Sequence, residues 1–187
     1  MSASLFLAMV AVLVTAIGGR DQLIVARLSE MLGARPALLV VGMAVSCISS
    51  AVMAFGGAFI AASISDAAET MLVAIAMVVA AAELFWPVRE KHAAEPTRSL
   101  AAAGIVLLAR QIGDGPRFLV FALAAATASP EMAALGGALG GAGALAAAWM
   151  AGEQLERRVP LCAVRTGLGA IVLVAAIVTA LTARGIL

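Results

Sequence analysis

The heptapeptide AIGGRDQ, residues 16–22, decides how this chain must fold. It interrupts an apolar run that extends from Ala3 to Leu32. An ionised side chain at bilayer depth costs about 2.5–3.5 kcal/mol on insertion scales, so Arg20 and Asp21 cannot plausibly face lipid. Adjacent glycines also weaken the helix at this point. We therefore predict a bent or broken helix whose polar centre, including Gln22, faces the interior of a helical bundle.

A second stretch of the same kind, QIGDGPR at residues 111–117, interrupts the apolar run from Ser99 to Ala128. It also combines glycines with charged and amide side chains, here Gln111, Asp114 and Arg117. The same cost of burying charge applies. We expect these groups to face the first stretch, with Arg20 or Arg110 paired to Asp114.

The composition of the whole chain is that of a membrane protein. Of 187 residues, 64% are hydrophobic and only 12% are charged, and the mean hydropathy is +1.10. Soluble domains carry about 25% charged residues. A net charge of +1 also argues against a nucleic-acid partner. No nucleophile–base pair, phosphate loop or Cys/His ligand cluster is present in the sequence, so we predict neither an enzyme nor a cofactor.

Dividing the chain at its polar and proline-containing breaks gives an all-α membrane protein with six transmembrane helices. Residues 1–187 then form a single integral membrane domain in the lipid bilayer, and an N-terminal signal peptide is the disfavoured alternative because no positive segment precedes the apolar run. The predicted spans are Ala3–Leu32, Ala37–Ala62, Ala67–Trp86, Ser99–Ala128, Glu131–Gly152 and Leu161–Ala183.

The distribution of basic residues predicts the orientation. Cytoplasmic connections are enriched in Lys and Arg. The first, third and fifth connections and their flanks hold most of the basic residues, which predicts that both termini lie outside the cytoplasm, and we expect a bacterial inner membrane. The residues concerned are Arg27, Arg35, Arg89, Lys91, Arg98, Arg157, Arg158 and Arg165.

Matching glycines indicate an internal repeat, with a first half of about residues 1–87 and a second of about 99–187. An odd number of spans in each half makes the two halves inverted relative to one another. Inverted repeats are typical of secondary transporters, whose substrate site lies near the midplane where the repeats meet. The matching pairs, each 95 residues apart, are Gly18 and Gly113, Gly42 and Gly137, and Gly57 and Gly152.

This arrangement resembles the small calcium/manganese cation–proton antiporters of the transmembrane protein 165 type, in the lysine-exporter superfamily. That family carries E-x-G-D-[KR]-[TS] once in each half. The second copy here retains Gly113 and Asp114, with Gln111 in place of the glutamate. In the first copy Ala16 and Gly19 stand at both acidic positions.

The resemblance implies that Mn²⁺ or Ca²⁺ is exchanged for protons, with Asp114 and Gln111 as metal ligands. Asp21, Gln22 and Arg20 complete the predicted substrate site, and Arg20 would hold or release the Asp114 carboxylate. Asp21 lies two residues beyond the lost acid, about 200° around a regular helix, so an unwound segment is needed to bring it into the site.

Two alternatives stay open at this stage. An exporter of a small organic or anionic solute would use Arg20, Arg110 and Arg117 as ligands. A transport-inactive membrane scaffold would use the polar centre only to pin its helices. The oligomeric state is not determined by the sequence, and a homo-oligomer remains an option.

Overall fold

Eight α-helices, and no strands, form the regular structure in the part of the chain that the computed structural model describes, residues 2–32, 35–86, 99–152, 154 and 160–185. The predicted all-α class is therefore confirmed. The helices are α1 (Ser2–Thr15), α2 (Arg20–Leu32), α3 (Pro36–Ala61), α4 (Asp66–Phe85), α5 (Leu100–Ile112), α6 (Gly115–Thr127), α7 (Pro130–Ala151) and α8 (Leu161–Ala183).

Four of these helices, α3, α4, α7 and α8, are long and apolar enough to cross a bilayer. The α1–α2 pair, bent by 65°, counts as a fifth candidate. Large apolar side chains such as Phe59 and Met150 are 76% and 73% exposed, as side chains that contact lipid would be. These features indicate a multi-pass membrane protein. Because α5 and α6 are each only 13 residues long, the predicted sixth span and the inverted repeat are not confirmed by helix length.

Both predicted helix breaks are present. The run Ala3–Leu32 is not one tilted helix, because α1 ends at Thr15 and α2 begins at Arg20. Between them Gly18 has φ of +68°, a left-handed conformation that glycine adopts without steric cost. The second break falls between Ile112 and Gly115.

Small residues bring the central helices close together. α7 packs along both α3 and α1. A Cβ atom on Gly140 would lie 3.1 Å from the backbone nitrogen of Leu13, and one on Gly136 would collide with the carbonyl group of Leu5. The sequence pattern of glycines at four-residue spacing predicts close helix approach, and this is confirmed.

α4 and α8 form a pair at the edge of the bundle. α8 packs along α4, and α4 packs against α6 through apolar contacts that include Val73, Ala76 and Ala122. The connections around this pair, with the basic residues Arg89, Lys91, Arg98, Arg157 and Arg158 used to predict orientation, lie outside the described residues.

Candidate functional site

The two helix breaks open onto one cavity at the centre of the bundle. The cavity leaves about 20 Å³ for the centres of water-sized molecules, which is room for one or two waters or a small ion. The structure thus brings four of the five predicted site residues together. The polar lining consists of Asp21, Gln22, Gln111, Asp114 and Arg117.

Asp21 enters this cavity because the chain is broken before it. Asp21 is only 7% exposed, and it lines the cavity together with Gln111. If α1 continued without a break through residue 21, the Asp21 carboxylate would point away from the cavity. α2 instead begins at Arg20, and its axis is bent by 65° from that of α1. The unwound residues between α1 and α2 therefore bring Asp21 into the cavity, as predicted.

Arg20 does not face the cavity. It is exposed, and no ion pair between Arg20 and Asp114 is formed within the described ranges, so the predicted inward orientation of Arg20 is wrong. Consecutive residues in a helix are about 100° apart, and with Asp21 turned inward Arg20 must turn outward. Arg110, the other predicted partner of Asp114, is likewise exposed.

Gln22 fixes the first break to α7. Its Oε1 atom accepts a hydrogen bond of 2.7 Å from the backbone N–H of Gly18. Its Nε2 atom donates to the carbonyl of Ala144 at 3.0 Å. Both ends of the amide are thus engaged by the protein, which makes Gln22 a positioning group more than a free ligand.

Arg117 is the most deeply buried charge of the site, at 3% exposure. Its guanidinium donates four hydrogen bonds, and every acceptor is neutral. Nε bonds the Ser49 hydroxyl at 2.9 Å, and Nη1 bonds the Gly137 carbonyl at 3.3 Å. Nη2 bonds both the Ser46 hydroxyl at 2.9 Å and the Gln111 Oε1 atom at 3.0 Å. Four of its five N–H donors are therefore satisfied by protein oxygens.

The serines of α3 complete this network. Ser49 donates to Gln111 Oε1 at 2.7 Å, and Ser46 donates to the Ala138 carbonyl at 3.1 Å. The spacing of these serines predicts a common face of the helix, and the structure turns that face towards Arg117. One buried guanidinium thereby links α3, α5, α6 and α7.

Two further charged residues hold the α4–α8 pair against the breaks. The Glu83 carboxylate accepts a hydrogen bond from the N–H of Gly115, at the start of α6, and lies next to the Asp114 side chain. Arg165 donates to the Gly18 carbonyl at 3.2 Å and to the Glu83 carbonyl at 2.9 Å.

From the sequence, Glu83 is predicted to lie near the cytoplasmic end of the third span and Arg165 at the flank of the fifth connection. Glu83 lies two residues before the end of α4 and Arg165 lies in the first turns of α8, but their contacts with the helix breaks were not predicted. Each is a charged residue within or beside an apolar run. The cost of exposing a charge to lipid therefore favours a position inside the bundle for both side chains.

The donor set of the cavity is limited. Within the described ranges, no group of three or more His, Cys, Asp or Glu side chains is arranged to hold a metal ion. The cavity itself is lined by two carboxylates, Asp21 and Asp114. The predicted metal ligands Asp114 and Gln111 are neighbours in the lining, but Gln111 Oε1 is already occupied by Ser49 and Arg117.

Known proteins do not identify the chain. No family model matches the sequence, and no curated protein or solved structure is significantly similar. What the site does must therefore be argued from its residues.

Among those residues, the carboxylates differ from the other polar groups in one respect. Gln22 and most of Arg117 are used up by contacts within the protein. Asp114 lies immediately before α6, is half-buried, and makes no side-chain capping bond to that helix. Asp114 lines the cavity, and the Glu83 carboxylate lies beside it.

Proposed function

We propose that this chain is a secondary transporter, not an enzyme, that exchanges a cation for protons by alternating access. Asp21 and Asp114 would carry the exchanged ions in turn. The observation that supports this most directly is that both carboxylates, one from each helix break, line the same buried cavity. Discontinuous helices that meet at a central polar site are a recurring plan of secondary transporters.

We further propose that the chain crosses the membrane six times as two inverted three-helix repeats, α1–α4 and α5–α8. The hydrogen bonds at the breaks support this. Gln22 and Arg117 are 95 residues apart, and so are the residues they contact on the long helices, Ala144 and Ser49. Gln22 donates to the Ala144 carbonyl, and Arg117 donates to the Ser49 hydroxyl. Each repeat thus reaches across to the equivalent position of the other.

The crossing of α3 and α7 supports the same symmetry. A Cβ on Gly42 would lie 3.2 Å from Leu145, and one on Gly137 would lie 3.0 Å from the hydroxyl of Ser50. These two contacts are exchanged by the same shift of 95 residues. With this symmetry, the α5–α6 pair is the counterpart of α1–α2 and forms the sixth span.

The carboxylates, more than the arginine, are suited to bind the transported ion. An anion ligand needs free N–H donors, whereas four of the five donors of Arg117 are held by Ser46, Ser49, Gln111 and the Gly137 carbonyl. This disfavours the alternative of an anion exporter. Carboxylate oxygens bind protons and hard cations, and their charge compensates that of the cation.

In the mechanism we propose, a cation binds as a proton leaves Asp114, and the loaded site is then exposed on the other side of the membrane. Release of one proton for each positive charge on the cation keeps the charge of the cavity constant, which avoids leaving an uncompensated charge in a low-dielectric interior. Mn²⁺ and Ca²⁺ are the ions that the family resemblance implies. The location would be a bacterial inner membrane with both termini outside the cytoplasm.

Transport by purified protein in liposomes tests this proposal. A pH gradient is imposed, and uptake of Na⁺, K⁺, Mn²⁺ and Ca²⁺ is measured one at a time. We expect Asp114→Asn and Asp21→Asn to reduce cation-coupled proton movement more than about tenfold, since each removes an ion-binding charge. Asp66→Asn, at the exposed start of α4, is the matched control and should transport like the native protein.

Three outcomes would overturn the proposal. Full activity of both cavity variants would remove the carboxylates from the mechanism. Flux driven by anions in place of cations would favour the exporter alternative. Absence of any flux, combined with stable co-purification of another membrane protein, would favour a scaffold.

A further inference from the structure

Arg117 places a fixed positive charge beside the two carboxylates of the cavity. We infer that Arg117 is a specificity-determining residue that makes the site select a monovalent cation over a divalent one. This rests on the proposed cation transport, but it departs from the ions that the family resemblance implies.

The charge of the lining is the first reason. With Asp21 and Asp114 ionised, the two carboxylates and the Arg117 guanidinium leave one net negative charge in the lining. Glu83 and Arg165, which lie beside Asp114 but outside the lining, add one charge of each sign and leave this sum unchanged. One monovalent cation or one proton compensates that charge. A divalent cation would leave a positive excess in an interior where unit charges a few ångströms apart interact far more strongly than in water.

The oxygen ligands are the second reason. Hard divalent cations take six or more oxygen ligands in proteins or keep several waters. The side-chain amide oxygens of the lining that could supplement the carboxylates belong to Gln22 and Gln111, and both already accept hydrogen bonds, Gln22 Oε1 from the Gly18 N–H and Gln111 Oε1 from Arg117. The guanidinium therefore occupies one of the two amide oxygens as well as supplying the charge.

The guanidinium is also held in place. It donates hydrogen bonds to residues of α3, α5 and α7. On the α7 side, Gly141 leaves the space that the guanidinium fills. A Cβ on Gly141 would lie 2.6 Å from the Nη2 atom of Arg117. Arg117 therefore cannot swing away when an ion enters unless this network is broken.

The internal repeat identifies the substitution that tests this inference. The residue 95 positions before Arg117 is Gln22, which contacts the opposite long helix with a neutral amide. Arg117→Gln places in the second repeat the same neutral amide that the first repeat has at Gln22. The glutamine keeps donor groups for the serines, lowers the charge of the lining by one unit and releases Gln111 Oε1 from the guanidinium.

The experiment compares the native protein, Arg117→Gln and Arg117→Lys in liposomes, with Na⁺, K⁺, Ca²⁺ and Mn²⁺ in competition. The native protein and the lysine variant, which retains the charge, should transport monovalent cations. Arg117→Gln should raise the ratio of divalent to monovalent flux at least about tenfold, because a repulsive unit charge is removed beside the ion.

Thermal unfolding in detergent shows whether each variant is folded. The effect of added cations on the melting temperature of the native protein is an independent test of ion selectivity. At equal ionic strength, Na⁺ or K⁺ should raise its melting temperature and Ca²⁺ or Mn²⁺ should not. If Arg117→Gln does not fold, the inference is tested by the cation-dependent melting temperature of the native protein and by the monovalent flux of Arg117→Lys.

Native transport of Ca²⁺ or Mn²⁺ in preference to Na⁺ and K⁺ would overturn the inference and leave cation transport intact. An unchanged flux ratio in folded Arg117→Gln would also overturn it. Loss of all cation flux in the native protein would instead refute the proposed function itself.

Discussion

Replacing Gly140 by alanine should separate α1 from α7 by a measurable amount. A Cβ at this position would collide with the Met9 carbonyl oxygen and lie 3.1 Å from both the Leu13 nitrogen and the Val12 Cβ. Backbone atoms of a helix cannot rotate away, so α1 must shift as a whole. Overpacking costs about 1–3 kcal/mol, and three contacts on one rigid helix favour the upper end. Alanine recovers about 1 kcal/mol of helix propensity, which leaves a net loss of about 2 kcal/mol.

Gly167→Ala is the matched control, because a Cβ there has no neighbour within 4 Å. It should gain the same propensity of about 1 kcal/mol without the steric cost. The free energies of unfolding of the two variants should therefore differ by about 3 kcal/mol. Denaturation in detergent micelles, followed by circular dichroism, measures this difference. If the two variants agree within about 0.5 kcal/mol, the conclusion that α1 contacts α7 through its backbone is refuted.

Three further substitutions test the contacts around the breaks. Gly141→Ala should displace the Arg117 guanidinium and cost about 1 kcal/mol after the gain in helix propensity, as measured by thermal unfolding; an unchanged melting temperature would contradict the described network. Glu83→Ala should destabilise the protein by about 1 kcal/mol because the Gly115 N–H loses its acceptor, and Glu83→Gln should restore most of that loss; equal effects would argue against the bond. Arg165→Met leaves the Gly18 carbonyl without its donor and removes one of two donors to the Glu83 carbonyl, and faster hydrogen exchange at the first break, with exchange in α7 unchanged, is the expected result.

The helix breaks were predictable from the sequence because lipid makes their polarity costly. Runs of apolar residues interrupted by glycine and charge leave few arrangements other than a shared interior. The meeting of Asp21 and Asp114 in one cavity follows from that constraint. The direction of each side chain within a break does not follow, since it depends on where the new helix begins. For this reason the prediction that Arg20 faces inward is wrong, whereas the same prediction for its neighbour Asp21 is confirmed.

The contacts of Glu83 and Arg165 illustrate what the sequence did not contain. Their partners are backbone atoms at Gly18 and Gly115, and backbone groups leave no mark in the residue pattern. These partners can be found only if it is known that α8 packs on α4. Apolar composition alone does not specify that pairing, because an apolar helix surface can contact either lipid or another helix. The Arg117 network was more accessible, since the serines of α3 recur at helical spacing.

The late position of α8 in the chain has a consequence for biosynthesis. α8 begins 95 residues after α4 does, so a ribosome working at about 5–20 residues per second delivers α4 roughly 5–20 s before its partner. Until α8 has been made, the Gly18 carbonyl lacks the donor that Arg165 supplies. The contact between the first helix break and α8 can therefore form only after the last helix has been synthesised.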